Sequence, residues 1–245
     1  MTVKEHYDNH LGHFYAWMTG DIQQKKNEFL SLCQRHDITS SGSEVAIDLG
    51  AGHGIQSLAL AEAGFEVLAI DFNQTLLDEL NLNKGSLSIS SVNEDIRNIA
   101  AYKHLSPDVI VCCGDTIAHL ESKEELSQFI ADFGKTLTLA GNIILSFRDY
   151  SQELTDTTRF IPVKSDHDRI FTCFLEYFDH TVRVTDLLHQ KINGNWTQQV
   201  SSYFKIRLSK ELIFNLLNFN DFEVTAEEKS NGMNTIVAKR KVESL

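Results

Sequence analysis

Residues 44–71, EVAIDLGAGHGIQSLALAEAGFEVLAID, decide the fold of this 245-residue chain. The apolar run Glu44–Leu49 reads as a buried strand and breaks on Gly50, Gly52 and Gly54. A helix is expected over Ile55–Ala63, stopped by Gly64, and FEVLAID then forms a second strand that ends on Asp71. The glycines let the backbone turn tightly and let a ligand approach the peptide groups, and the helix amino terminus beyond them offers free N–H groups. Asp71 follows Gly50 by 71 − 50 = 21 residues, where a carboxylate can accept both hydroxyls of a ribose.

The same alternation continues outward. Leu76, Leu77 and Leu80 mark a helix, Leu87–Val92 a third strand, and Asp108–Cys113 (DVIVCC) a nearly all-apolar fourth strand, as one covered on both faces should be. A helix over about 122–139 and a fifth strand, Asn142–Phe147, complete a pattern that implies a parallel sheet with right-handed crossovers. Residues 151–207 break the rhythm. IFTCFLEYF, TVRVTDLLHQ and TQQVSSYFKIRL are β-type runs with no helix between them, and Asn193-Gly194-Asn195 makes a tight turn. A last helix over Ser209–Phe219 and two strands joined through Ser230-Asn231-Gly232 close the chain.

Upstream, Thr2 with Glu5 fits a capping box, and Tyr7, Leu11, Phe14, Tyr15 and Met18 recur at helical spacing up to Gly20. Asp21 with Gln24 repeats the cap before a second helix, and a polar turn, Thr39-Ser40-Ser41-Gly42-Ser43, separates this pair from the sheet. The expected organisation is one domain over 1–245, with a helical cover at 1–38 and an antiparallel insertion at 151–207 that serves as lid or dimer contact.

Composition bounds the function. With 42% hydrophobic and 23% charged residues the chain is an ordinary globular protein. Its net charge of −12 argues against a general grip on nucleic acid or anionic lipid; only Lys239-Arg240-Lys241 is locally basic. The amino terminus has no apolar core to act as a secretory signal, and no apolar run approaches the roughly 20 residues that span a bilayer. Cys33, Cys112, Cys113 and Cys173 lack a C-x-x-C spacing and read as reduced, mostly buried thiols of a cytoplasmic protein. Cys112 and Cys113, as strand neighbours, are expected on opposite faces rather than as a redox pair.

Three details select the ligand. A dinucleotide fingerprint wants glycine at 55, where this chain has Ile55. Asp48, just before the first glycine, would face a pyrophosphate poorly but suits a cationic amino group. Asp95 can accept from an adenine amino group while the Ile96 N–H donates to the ring. A ligand with a ribose, an adenine and a positive end, and no call for phosphate, is S-adenosylmethionine.

At these residues the chain resembles the class I S-adenosylmethionine-dependent methyltransferases. The quoted stretch matches their first motif, and EDIRNI (94–99) and DVIVCCGDTIAHL (108–120) match those of the third and fourth strands. The likeness spans Glu44 to about Asp149, and the opener HYDNHLGHFYAWM and the insertion resemble a bacterial small-molecule branch. It implies a Rossmann-like α/β fold: a seven-stranded, mostly parallel sheet with a reversed last strand, plus the antiparallel β insertion. By resemblance Gly50, Ala51, Gly52, Gly54 and Gly114 surround the methionine part and Asp71 the ribose. Phe72 would lie against the adenine, with Asp95 and Ile96 reading its edge, and Tyr7, His10 and Tyr15 would line the methionine end or the acceptor pocket.

Methyl transfer from a sulfonium needs a held nucleophile, exclusion of water and, for some acceptors, removal of a proton. His119, after the fourth strand, is the preferred base, since an imidazole titrates near neutrality; a residue capping that loop or packed under the insertion is the alternative. Arg148 would clamp a substrate carboxylate or, more plainly, pair with Asp149 or a lid acid, and Asp115 would cap a turn. Catalysis by positioning alone remains open. His6, His10 and His13 share a helical face, but without a nearby Cys or second-element ligand no metal site is expected. Alternation does not orient Tyr177 and Tyr203 of the aromatic insertion. The expected activity is methyl transfer to an N or O atom of a small molecule, with S-adenosylhomocysteine as product. The rivals are a non-catalytic cofactor-binding regulator or partner subunit and a NAD-dependent oxidoreductase.

Overall fold

A computed structural model describes residues 1–40 and 42–242; Ser41, within the polar turn, and residues 243–245 lie outside the described set. The chain begins with α1 (Val3–Asn9), α2 (Tyr15–Thr19) and α3 (Ile22–Arg35). It then alternates β1 (Val45–Leu49), α4 (Ile55–Glu62), β2 (Glu66–Asp71), α5 (Gln74–Asn83), β3 (Ile89–Asn93) and β4 (Val109–Cys112), followed by α6 (Lys123–Thr136) and β5 (Asn142–Arg148). The insertion supplies β6 (Phe160–Ser165), β7 (Arg169–Tyr177), β8 (Thr181–Ile192) and β9 (Asn195–Ile206). Then α7 (Lys210–Phe219), β10 (Phe222–Ser230) and β11 (Met233–Arg240) complete the chain.

The main sheet runs β10-β11-β5-β4-β1-β2-β3. Its first five strands in sequence pair in parallel, and β11 is antiparallel to β5, so the reversed last strand is as expected. The central strands are covered on both faces and are apolar almost throughout. Ile47, Ile110, Cys112 and Leu145 pack to one side with α6 and α7; Ala46, Val111, Cys113 and Ile144 pack to the other with α3 and α4. Cys112 and Cys113 therefore do lie on opposite faces, and the four thiols are free.

The strand reversals follow turn chemistry. Asn193 and Gly194 (φ 51° and 81°) join β8 to β9, and Asn231 and Gly232 (φ 50° and 74°) join β10 to β11. Two positive φ values in sequence are those of a type I′ hairpin, which asparagine and glycine adopt at least cost. The insertion is a separate antiparallel sheet in the order β6-β7-β8-β9. Its inner face carries the buried Phe171, Val182, Val184, Leu188 and Tyr203, and its outer face leaves Phe160, Val200 and Phe204 half-exposed. Tyr177 pairs with Val182 and Tyr203 with Val184, so both tyrosines belong to the inner face.

The amino terminus departs from the expected single helix. The capping box forms, with the Thr2 and Glu5 side chains each accepting from the other's backbone N–H. The helix nevertheless ends at Asn9, because His10 takes φ −141°, ψ −78° and a 3₁₀ turn covers Leu11–Phe14. Gly12 permits the break: a Cβ there would sit 2.7 Å from the Tyr7 carbonyl oxygen. The kink brings the Tyr7 and Tyr15 rings within 6.1 Å, closer than the two turns of straight helix between them would allow. Of the segment 1–38, only the part up to Tyr15 faces the ligand cavity; α3 packs Phe29, Leu32 and Cys33 against α4 in the far-side core.

Candidate active site

A cavity of about 610 Å³ opens over the carboxyl ends of β1, β2 and β4, roofed by α1 and by β9 of the insertion. Its wall includes Tyr7, Tyr15, Gly50, Gly52, Asp71, Phe72, Asp95, Ile96, Gly114 and His119, which sequence reasoning had chosen. It also includes Lys4, Arg97 and Lys205, which it had not, whereas His10 is buried off this wall.

The glycine loop is built tightly. Gly50 has φ 73°, and a Cβ there would lie 2.5 Å from Cγ2 of Thr116, so the loop after β4 seals against it. The Gly50 and Ala51 amides donate to the Ile70 carbonyl, Gly52 N–H donates to Asp71 Oδ2 at 2.8 Å, and Gly54 N–H donates to the Ala51 carbonyl. Four amides of the loop are thus already taken. Asp71 Oδ1 accepts from Asn73 N–H, so each carboxylate oxygen keeps a lone pair for a ribose hydroxyl. Burial pushes the Asp71 carboxyl up from its usual range.

Three residues expected at the cofactor lie off the cavity wall. Asp48 is buried beneath the loop, off the cavity wall, and accepts from Ser57 Oγ at 2.6 Å. Burial pushes its carboxyl up to about 7, the Ser57 hydrogen bond opposing and the Asp71 charge adding to the shift. Ala51 packs into the far-side core. Gly54 faces Leu80, and a Cβ there would come within 2.8 Å of Leu80 Cγ. With φ at 102° as well, Gly54→Ala is expected to cost about 2–3 kcal/mol. Thermal unfolding should show a Tm about 5–10 °C lower; an unchanged Tm would mean that α5 yields freely.

Asp95 caps the 3₁₀ run Ile96–Leu105 and is gripped by Arg97, whose Nε lies 2.9 Å from both carboxylate oxygens. Burial pushes the Asp95 carboxyl up, but the Arg97 guanidinium and backbone N–H outweigh it and hold the group below the usual carboxylate range. Arg97 also reaches Glu125 on α6 at 2.9 Å, which ties the cavity rim together.

The other end of the cavity is aromatic. His119 is buried, stands edge-on to Tyr7 at 5.8 Å and lies 5.5 Å from the Tyr203 ring. Its Nδ1 is a buried atom without a partner among the described residues. The expected near-neutral imidazole is corrected: burial, helped by the Lys205 charge, pushes His119 well below the usual histidine range. Burial likewise raises Tyr7 well above its ordinary value and Tyr15 to about 12.

Arg148 does not reach this cavity. Its Nη1 donates to the Asn231 carbonyl in the β10–β11 turn at 3.2 Å, and it pairs with neither Asp149 nor a lid acid. Only its backbone serves the site, through an N–H to Asp115 Oδ1 at 2.9 Å. Asp115 is no simple turn cap: its Oδ2 takes the Tyr150 hydroxyl at 2.7 Å and Lys205 Nζ at 2.6 Å. The sequence signal for this pair was a lysine within the apolar alternation YFKI of β9.

Histidines 6, 10 and 13 do not converge on a metal. His6 lies between Ser201 Oγ (2.7 Å) and Asp186 Oδ2 (3.0 Å), fastening α1 to the insertion, and His13 is exposed. Among the described residues no group of three His, Cys, Asp or Glu is arranged to hold a metal, and no helix is long and apolar enough to cross a membrane.

Comparison with known proteins agrees with this geometry. Residues 46–141 match the family model described as a methyltransferase domain. A glycine/sarcosine N-methyltransferase of Aphanothece halophytica is 29% identical over 111 residues, 44% of this chain and 42% of that protein. The chain thus matches less than half the length of that curated relative. A solved S-adenosylmethionine-dependent methyltransferase from Clostridium acetobutylicum superposes with a TM-score of 0.73 at 16% identity, over 96% of each chain. An amino pentose methyltransferase from Micromonospora echinaspora, solved with S-adenosylmethionine bound, gives 0.72 at 12% identity over 91% of this chain and 92% of its own. At such identities the structures show a shared fold.

Proposed function

The chain carries a methyltransferase domain on the class I S-adenosylmethionine-dependent methyltransferase fold, and from that premise we propose that it methylates a nitrogen of a small-molecule amine. The observation that carries the reading is one continuous cavity wall. It joins Gly50, Gly52, Asp71, Asp95 and Ile96 at one end to the unpartnered His119 Nδ1 at the other. The residues fit the cofactor. Asp71 has lone pairs for the ribose, Phe72 and Ile96 offer apolar surface to the adenine, and Asp48 below the loop, when ionised, favours a cation over a phosphate. When bound, the cofactor supplies an activated methyl on sulfur.

The chain's own part is positioning. Tyr7 on the cavity wall and Tyr203 behind His119 pack their rings around the imidazole and fix where an acceptor can sit. His119 stays neutral at physiological pH, so its Nδ1 can accept an N–H from the acceptor and leave the nitrogen lone pair free to attack. The Lys205 ammonium nearby disfavours a protonated acceptor, so the amine enters as the free base. Nitrogen rather than oxygen is favoured because the curated relative named above acts on glycine and sarcosine nitrogen. A cytoplasmic protein with reduced thiols belongs to the same reading, as does a homodimer that buries the apolar outer face of the insertion.

Calorimetry with S-adenosylhomocysteine and NAD tests the cofactor assignment. Binding of the adenosyl ligand with NAD silent is expected, and NAD binding alone would reassign the glycine loop. Affinity should also depend on pH. Asp48 attracts a cationic ligand only when ionised, and burial pushes its carboxyl up to about 7. Binding is therefore expected to tighten as pH rises through 7 and to weaken by up to about tenfold per unit below it. The Asp48→Asn variant should show a flat profile; an equally steep one would place the titration elsewhere.

A further inference from the structure

Lys205 projects from the insertion into the cavity wall with its side chain only 9% exposed. Its sole hydrogen-bond acceptor among the described residues is Asp115 Oδ2, so two of its three N–H groups have no protein acceptor. Asp115 does not depend on Lys205 alone, because Arg148 N–H and the Tyr150 hydroxyl also donate to it. A buried ion pair is a poor source of stability. What Asp115 does supply is aim: with three donors around it, it fixes where the ammonium stands. Lys205 Nζ lies 5.7 Å from the centre of the Tyr203 ring, and His119 lies 5.5 Å from the same ring. A hydrogen-bond acceptor for an amine and an ammonium with two N–H groups to spare therefore share one aromatic platform.

We propose that Lys205 is the anchor for a ligand carboxylate in this cavity, so that the bound small molecule presents an amine to His119 and a carboxylate to Lys205. The inference rests on the methyltransferase reading given above. For an ammonium as buried as that of Lys205, a charge-assisted pair is about twice as strong as a neutral hydrogen bond, so a carboxylate is preferred there over a hydroxyl. Two molecules offer that group, an amino-acid acceptor and the methionyl end of the cofactor, and binding measurements separate them.

The test is calorimetry on wild type and on Lys205→Met. The probes are S-adenosylhomocysteine, 5′-methylthioadenosine (which lacks the carboxylate), sarcosine, and N-methylethanolamine (a hydroxyl in place of the carboxylate). If the acceptor carries the carboxylate, sarcosine binds the S-adenosylhomocysteine-loaded wild type at least tenfold better than N-methylethanolamine, and Lys205→Met erases the difference. If the cofactor carries it, Lys205→Met weakens S-adenosylhomocysteine at least tenfold and leaves 5′-methylthioadenosine within twofold. A Lys205→Met protein that changes neither comparison overturns the proposal while leaving the methyltransferase reading intact. A wild type that binds neither nucleoside overturns both. Because Lys205→Met leaves Asp115 charged and buried, the double variant Lys205→Met/Asp115→Asn is measured beside it, and the same losses are expected in that neutral, folded background.

Discussion

Replacing Asp71 by alanine is expected to weaken S-adenosylhomocysteine binding by about 100-fold or more. The carboxylate stands at the end of β2, accepts from the amides of Gly52 and Asn73, and keeps one lone pair on each oxygen for the ribose hydroxyls. A hydrogen bond to a charged group contributes about 1.5–3 kcal/mol, and two such bonds exceed the roughly 2.8 kcal/mol that a 100-fold change requires. The loss is twofold in kind, because the Gly52 amide is freed as well and the loop is no longer pinned to β2. The fold should survive: burial already penalises the Asp71 charge, and its removal relieves the repulsion that helps to raise Asp48. Calorimetry paired with thermal unfolding separates the effects. Retained affinity at an unchanged Tm would mean that the ribose is held elsewhere.

Replacing His119 by alanine is expected to lower kcat/KM for the acceptor by about 100-fold while S-adenosylhomocysteine affinity changes less than threefold. The size is that of a lost, well-placed proton acceptor at the reacting atom. The pH profile is the sharper measurement. The imidazole is held well below the usual histidine range by burial, so it is neutral on both sides of pH 6.5 and gives no inflection there. The rate should instead climb with pH as the acceptor amine loses its own proton, and His119→Ala should lower this curve without changing its shape. The same depression has a cost in acid. A buried imidazole that resists protonation is stabilised relative to the unfolded chain only above the ordinary histidine value, so stability falls as pH drops through about 6.5. His53, pushed down to about 4 by burial, acts in the same sense, whereas the raised Asp48 acts in the opposite one. An inflection near pH 6.5 that vanished in His119→Ala would show a titrating base of ordinary strength and reject the assignment.

Much of the fold was legible because its signals are local. A strand that breaks into glycine and resumes as a helix needs only neighbouring residues, and so does the Asn-Gly pair that reverses each hairpin. The kink at His10 was not legible, since Tyr7, Leu11, Phe14 and Tyr15 keep helical spacing across it. The break is stabilised by rings packing on Phe72 and His119, which lie far along the chain. Arg148 was misread for a related reason. The end of β5 is a sound place to expect a functional side chain, but the turn after β10 lies beside it and offers the Asn231 carbonyl.

The sequence by itself determined the doubly wound sheet, the reversed β11, the glycine loop and the carboxylates at the ends of β2 and β3. Periodicity, turn residues and fixed spacings are properties of a chain's near neighbours. Only the tertiary structure decided the aromatic end of the cavity: the Lys205–Asp115–Tyr150 cluster, the His6–Asp186 fastening beside it, and the neutral state of His119. Those partners are separated by 35 to 180 residues. Their charges and hydrogen bonds are set by burial, which depends on what the insertion and α1 close over, and no local pattern encodes that.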